Sequence, residues 1–168
     1  MALVAAASLA AAALPTEVAA QDEMAASVTL VAGVFQYDLE GTGAVPFGGV
    51  RLPLPMHRWI VLEPAITYAA YESQGGDNIP LLTPEVQVQG RLDLGRVDPF
   101  LGLGIGGTFD LRENRGGEEL VVSTYSVGAG ARGWLGRGWS LRGELRVRGI
   151  DGFTGSAAEW TVGVGRTF

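Results

Sequence analysis

From Ser27 onward the chain alternates apolar and polar side chains with a period of two and almost never with the period of a helix. In its last ten residues, EWTVGVGRTF, one face carries Trp160, Val162, Val164, Arg166 and Phe168. The other carries Thr161, Gly163, Gly165 and Thr167. WSLRGELRVRG sets Trp139, Leu141, Leu145 and Val147 against Ser140, Arg142, Glu144, Arg146 and Arg148, and TPEVQVQGRLDL sets Pro84, Val86, Val88, Leu92 and Leu94 against Glu85, Gln87, Gln89, Arg91 and Asp93. Eight strands are predicted, at about 27–39, 45–54, 59–72, 80–94, 99–112, 119–135, 139–150 and 159–168. In the first, Val31, Phe35 and Tyr37 compete with Val28, Leu30 and Val34 for the apolar face.

One strand contains a motif with a second meaning. PFLGLGIGGTFDLR places Gly102, Gly104 and Gly107 at the spacing G-x-G-x-x-G, which can bring a backbone close to a dinucleotide pyrophosphate. That chemistry needs a helix opening on the glycines and an acid about twenty residues later. Pro99 precedes the run and ENRGGEEL follows it, which reads as a turn. Leu101, Leu103, Ile105, Phe109 and Leu111 alternate with Gly102, Gly104, Gly106, Thr108 and Asp110, so the glycines occupy the small, polar face of a strand.

The connections alternate in character. Odd strands end in Gly- and acid-rich loops (EGTGAVP, SQGGDNI, ENRGGEE, DGFTGSAA), and even strands end in shorter turns around PMHR, GRVD and GRG. An even number of antiparallel strands joined in this way predicts an all-β, up-and-down barrel with no unpaired edge.

Composition narrows the setting. The 168 residues suffice for one domain and include 26 Gly, 47% hydrophobic and 18% charged residues. There is no Cys, which excludes disulfides and thiolate metal sites, and every cation other than the single His57 is Arg. The net charge of −6 argues against a nucleic-acid partner. MALVAAASLAAAALPTEVAA reads as a signal peptide over 1–20, cleaved after Ala20, although its start carries no Lys or Arg; 21–168 is then the barrel domain.

Periodicity gives two faces without saying which one is inside. A soluble ligand-binding barrel would turn the valines inward, and an outer-membrane barrel would turn them outward. Aromatic residues gather in two girdles, Trp59, Trp139 and Phe168 towards the short turns and Tyr68, Phe109, Tyr125 and Trp160 towards the long loops, as expected at lipid headgroups. The charged face is glycine-rich and nearly balanced: Arg51, Arg91, Arg132, Arg142, Arg146 and Arg148 oppose Glu63, Glu85, Asp93 and Glu144. That composition suits a mutually paired lumen. Arg166, on the apolar face near the terminus, can snorkel to the headgroups.

With the terminal strand WTVGVGRTF, the GGVRLPL strand bearing Arg51 and the LEPAITY strand bearing Glu63, the chain resembles the small eight-stranded outer-membrane barrels of Gram-negative bacteria, the OmpA-type and OmpX-type class. The resemblance implies a transmembrane β-barrel in the cell outer membrane. It also implies that Phe168 is part of the signal read by the barrel-assembly machinery, and that outer-membrane lipid and lipopolysaccharide surround a monomer.

An eight-stranded lumen is just wide enough for side chains to fill. The expected function is therefore non-enzymatic: a barrel with a plugged polar lumen, serving envelope integrity or presenting its loops. No catalytic residue, cofactor or metal site is expected. The alternatives are a narrow ion or small-solute channel, an outer-leaflet lipid-modifying enzyme, and a soluble lipocalin-like binder. Enzymatic acyl chemistry would need a base near the loops, whereas His57 falls in a short turn and has no second imidazole or Cys with which to hold a metal. The acidic pair Glu118–Glu119 reads as a solvated loop.

Overall fold

The computed structural model describes residues 25–37, 43–72, 78–112, 121–150 and 155–168. The predicted signal peptide, the ENRGG tip and Glu118–Glu119 lie outside the described residues. Nine strand segments follow one another: β1 (Ser27–Tyr37), β2 (Val45–Arg51), β3 (Leu54–His57), β4 (Ile60–Glu72), β5 (Asn78–Arg91), β6 (Val97–Asp110), β7 (Val121–Gly136), β8 (Trp139–Ile150) and β9 (Gly155–Thr167). Each pairs antiparallel with its neighbours in the order β2-β1-β9-β8-β7-β6-β5-β4-β3, and pairing of β2 with β4 closes the ring.

The second predicted strand is split, and its prolines explain why. Arg51 pairs with Ala65 and Leu54 with Leu62, so β3 continues the register of β2 along β4. Pro53 has no N–H to give to the ladder, and Pro55 adjoins a register shift before His57. β2 and β3 therefore form one interrupted stave, and the barrel has eight. β5 ends at Arg91, three residues earlier than predicted, and β9 begins at Gly155, four earlier. The β7–β8 reversal is a tight hairpin in which Gly136, Arg137 and Gly138 all have positive φ (88°, 52° and 78°), a conformation glycine reaches at little cost.

The pattern is inside out relative to a water-soluble protein. Leu101, Leu103, Val127, Val147 and Val162 each leave 60% or more of their surface uncovered, whereas Arg51, Glu63, Glu85 and Glu144 are buried. Each such apolar side chain left in water would forgo about 1.5–3 kcal/mol of burial, so a continuous collar of them requires hydrocarbon outside. Staves of this length, such as the 14 residues of β6, exceed the roughly 9–11 residues a tilted strand needs to span a bilayer. Among the described residues no helix is long and apolar enough to cross a membrane. The competition in β1 is settled by burial: Val31 is buried and Phe35 half-buried in the lumen, with Leu30 and Val34 outside.

The glycines of LGLGIGG now have a spatial cause. A Cβ at Gly102 would lie 2.5 Å from Cδ of Gln87, and one at Gly104 would lie 2.5 Å from Oε1 of Glu85. A Cβ at Gly106 would overlap the carbonyl oxygen of Pro84. They form a thin stretch of wall that leaves room for long polar side chains. Gly106→Ala is therefore expected to lower unfolding stability in lipid vesicles by about 1–3 kcal/mol, the usual cost of overpacking. At the exposed, outward position Gly143, where a Cβ meets nothing within 4 Å, Ala should change it by no more than about 0.5 kcal/mol. Equal effects at the two positions would contradict the spatial account.

Candidate functional site

The site is the lumen, and β8 supplies most of its charge. Because alternate residues of a strand share a face, Arg142, Glu144, Arg146 and Arg148 all point inward and are buried. In the ring of eight staves β4 stands diametrically opposite β8, and there Glu63 is fully buried. Arg142 donates to Glu63 across the barrel, and to Glu144 on its own strand at 2.8 Å. Arg51 on β2 reaches Glu144 at 2.5 Å and Glu63 at 3.3 Å.

The network continues towards the long loops. Arg146 donates to Glu144 at 2.7 Å and to Glu85 at 2.5 Å. Arg148 pairs with Glu85 and, at 2.6 Å, with Glu159. Ser126 donates to Glu85 at 3.0 Å. Arg51, Arg142, Arg146 and Arg148 thus share Glu63, Glu85, Glu144 and Glu159, four cations against four anions. That balance offsets much of the cost of taking these charges out of water.

Space for these side chains comes from the neighbouring wall. Gly102, Gly104 and Gly106 on β6 face inward with Gly128 and Gly130 on β7, and a Cβ at Gly128 would sit 2.7 Å from Oε1 of Glu144. Below the network, towards the short turns, the side chain of Phe100 lies 4.4 Å under the Arg142 guanidinium. Gln89 donates to Gln87 at 2.5 Å. Lower still, Arg91 stands 3.8 Å from Asp98, whose carboxylate accepts from the indole of Trp134 at 2.9 Å. Arg132 approaches Glu63 at 3.9 Å.

Of the ten residues expected to form the lumen network, Arg51, Glu63, Glu85, Arg91, Arg132, Arg142, Glu144, Arg146 and Arg148 are buried there. Asp93 is not. Because β5 ends at Arg91, Asp93 falls in the exposed β5–β6 turn, where its Oδ1 accepts from the N–H of Gly95 at 2.8 Å. Two lumen acids were missed, Asp98 and Glu159. Their signal was present, since Glu159 stands two residues before Thr161 and Asp98 two before Phe100 on the inward face. Both lay at or just beyond predicted strand starts.

The aromatic residues take several positions. Trp59, Trp139 and Phe168 are exposed at the short-turn end, and Tyr68 and Tyr125 are exposed near the loop end, where Phe109 is half-buried. Trp160 lies deeper, beside Leu145 in the middle of β8. The Arg166 guanidinium lies 5.0 Å over the ring of Trp139, and that of Arg58 4.1 Å over Trp59. His57 is exposed at the short-turn end, its Nδ1 3.5 Å from the N–H of Trp59. No group of three or more His, Asp or Glu among the described residues is arranged to hold a metal ion.

The whole sequence, residues 1–168, matches the family model of the outer membrane protein beta-barrel domain. No curated protein matches it. Among solved structures, Neisserial surface protein A superposes with a TM-score of 0.70 at 12% identity, over 85% of this chain and 97% of that one. Ail, the attachment invasion locus protein of Yersinia pestis, gives 0.58 at 10% identity, over 85% and 97%. The outer membrane protein OprG from Pseudomonas aeruginosa gives 0.56 at 14%, over 86% and 96%. At such identities the likeness is one of fold.

The position of Glu144 in the network yields a prediction. Removing one partner of a buried pair typically costs about 3–5 kcal/mol, reduced to roughly 1–3 where neighbours and water compensate, whereas an exposed ion pair is worth about 0–1. Glu144→Gln should therefore lower unfolding stability in lipid beyond the exposed range. Adding Arg146→Gln should recover only part of the loss, because Arg51 and Arg142 still face the lost charge. A double-mutant cycle measures the coupling, and a near-neutral single variant without coupling would contradict the paired lumen.

Proposed function

The chain belongs to the outer membrane protein beta-barrel domain family, and from that premise we propose that it is a non-enzymatic, non-conducting barrel whose role is envelope integrity or the presentation of its loops. The observation that carries this reading is the network of Arg51, Arg142, Arg146 and Arg148 with Glu63, Glu85, Glu144 and Glu159, which crosses the lumen from β8 to β4. An ion entering would have to displace side chains already held by several charge-assisted hydrogen bonds each. The absence of enzymatic activity is supported by the position of His57, at the short-turn end and without a carboxylate or hydroxyl partner among the described residues. The short turns, the start of β1 and the end of β9 share that end, which in barrels of this kind is the periplasmic one.

The partners proposed are the surrounding lipid and lipopolysaccharide, with the barrel-assembly machinery during insertion and no second copy required. Phe168 is proposed as part of the assembly signal. It is 81% exposed, and its backbone N–H donates to the carbonyl of Ala26 at 3.2 Å, so the side chain is presented outward from an anchored backbone.

Two measurements test the proposal. In planar bilayers the protein should give no reproducible conductance steps, whereas the double variant Glu144→Ala, Arg146→Ala, kept only if it still migrates as a heat-modifiable barrel, should give them. Steps from the unaltered protein would favour the narrow-channel reading. Separately, Phe168→Ser should reduce insertion in cells much more than folding into detergent. Equal losses in the two assays would make Phe168 a packing residue only.

A further inference from the structure

The lumen has two storeys of different chemistry. Above the ionic network, at the loop end, inward positions turn apolar: Val45, Phe47 and Ala69 form a buried cluster against which the half-buried Phe35 packs, the rings of Phe35 and Phe47 6.3 Å apart. Phe35, Phe47 and Ala69 border a cavity of about 210 Å³. Phe35, Phe47, Leu81, Val122, Ile150 and Ala157 line it, and Arg148 and Glu159 contribute its polar edge. The hydroxyls of Thr83 and Thr108, also lining residues, satisfy each other at 2.9 Å.

We infer that this cup is a binding site for a small neutral amphiphile, a compact apolar body bearing one hydrogen-bond acceptor. Size and chemistry both point there. An apolar cavity of about 150 Å³ takes up benzene, so one of this volume accommodates a single ring or short branched chain with a substituent. Mouths of barrels are frequent ligand sites, and an eight-stranded barrel can hold one small molecule.

The polar end selects the head group. Arg148 gives Nε to Glu159, and Nη1 to Glu85 and to Thr124, while its Nη2 has no partner among the described residues. That leaves a donor for a hydroxyl or carbonyl oxygen. A carboxylate head is disfavoured, because the charge of Arg148 is already shared by Glu85 and Glu159, and Glu159 itself lines the cavity. The network beneath closes the floor, so the cup retains its ligand and does not pass it on.

The full-length protein in lipid nanodiscs, methyl-labelled for NMR, tests this with 4-fluorophenol as probe and fluorobenzene as the analogue lacking the oxygen. Methyls of Leu81, Val122 and Ile150 should shift saturably with 4-fluorophenol, while the lipid-facing methyls of Leu145 and Val147 should move only in proportion to probe partitioned into the bilayer. Fluorobenzene should bind about 2- to 10-fold more weakly, the equivalent of one neutral hydrogen bond. Ala69→Leu, which fills the cup from a position paired with Phe47 and Leu81 and with no charged residue, should abolish saturation while the barrel stays heat-modifiable. Inner and outer methyls moving together, or unchanged binding in Ala69→Leu, would overturn the site, and equal affinity for the two probes would overturn the assigned head group.

Discussion

The structure depends on one constraint: charges carried into a side-chain-filled lumen must find opposite charges there, because isolated ions in a medium of low polarity cost more than folding supplies. β8 brings three arginines and one glutamate inward, an excess of positive charge that it cannot neutralise itself. Glu63 from the opposite stave, Glu85 from β5 and Glu159 from β9, together with Arg51 from β2, complete the balance. Those partners meet only when the ring is closed and in register. A one-residue slip of β4, β5 or β9 would turn its acid towards lipid and leave an arginine unpaired inside. The network therefore specifies register as well as filling the lumen.

The glycines belong to the same argument. A guanidinium reaching across the barrel needs a wall without side chains along its path, and Gly102, Gly104, Gly106, Gly128 and Gly130 provide one on β6 and β7. A spacing that could be mistaken for a phosphate-binding loop follows from alternation in a strand whose inward positions must be small. Outside, the same two strands carry Leu101, Leu103, Ile105 and Val127, so the wall is thin inside and apolar towards lipid.

Period-two alternation made the eight staves and their two faces legible, and the paired composition of the charged face indicated which side is the lumen. Strand ends were less legible. Asp93 continues the alternation of β5 beyond the point where pairing stops, so the pattern extended a strand that hydrogen bonding ends at Arg91. Asp98 and Glu159 show the opposite error, since pairing begins before the pattern becomes clear. The split at Pro53 was signalled by RLPLP, but a local backbone defect in an otherwise continuous register is invisible to periodicity. The apolar upper lumen was not anticipated, because two-faced reasoning assigns one polarity to a face along its whole length.

That change of polarity along the axis has a physical consequence for the charges. The register places Glu159 beside Phe35, so the last ion pair of the network, Arg148 with Glu159, borders the apolar storey directly. Electrostatic attraction strengthens as water is excluded, and apolar neighbours beside the pair reinforce it more than open solvent would. The apolar ring and the ionic plug are therefore neighbours: the plug gives the cup a floor, and the ring narrows the approach of water to the uppermost charges. Occupation of the cup by an apolar body would extend the same effect downward to Glu85, which Arg146 and Arg148 share.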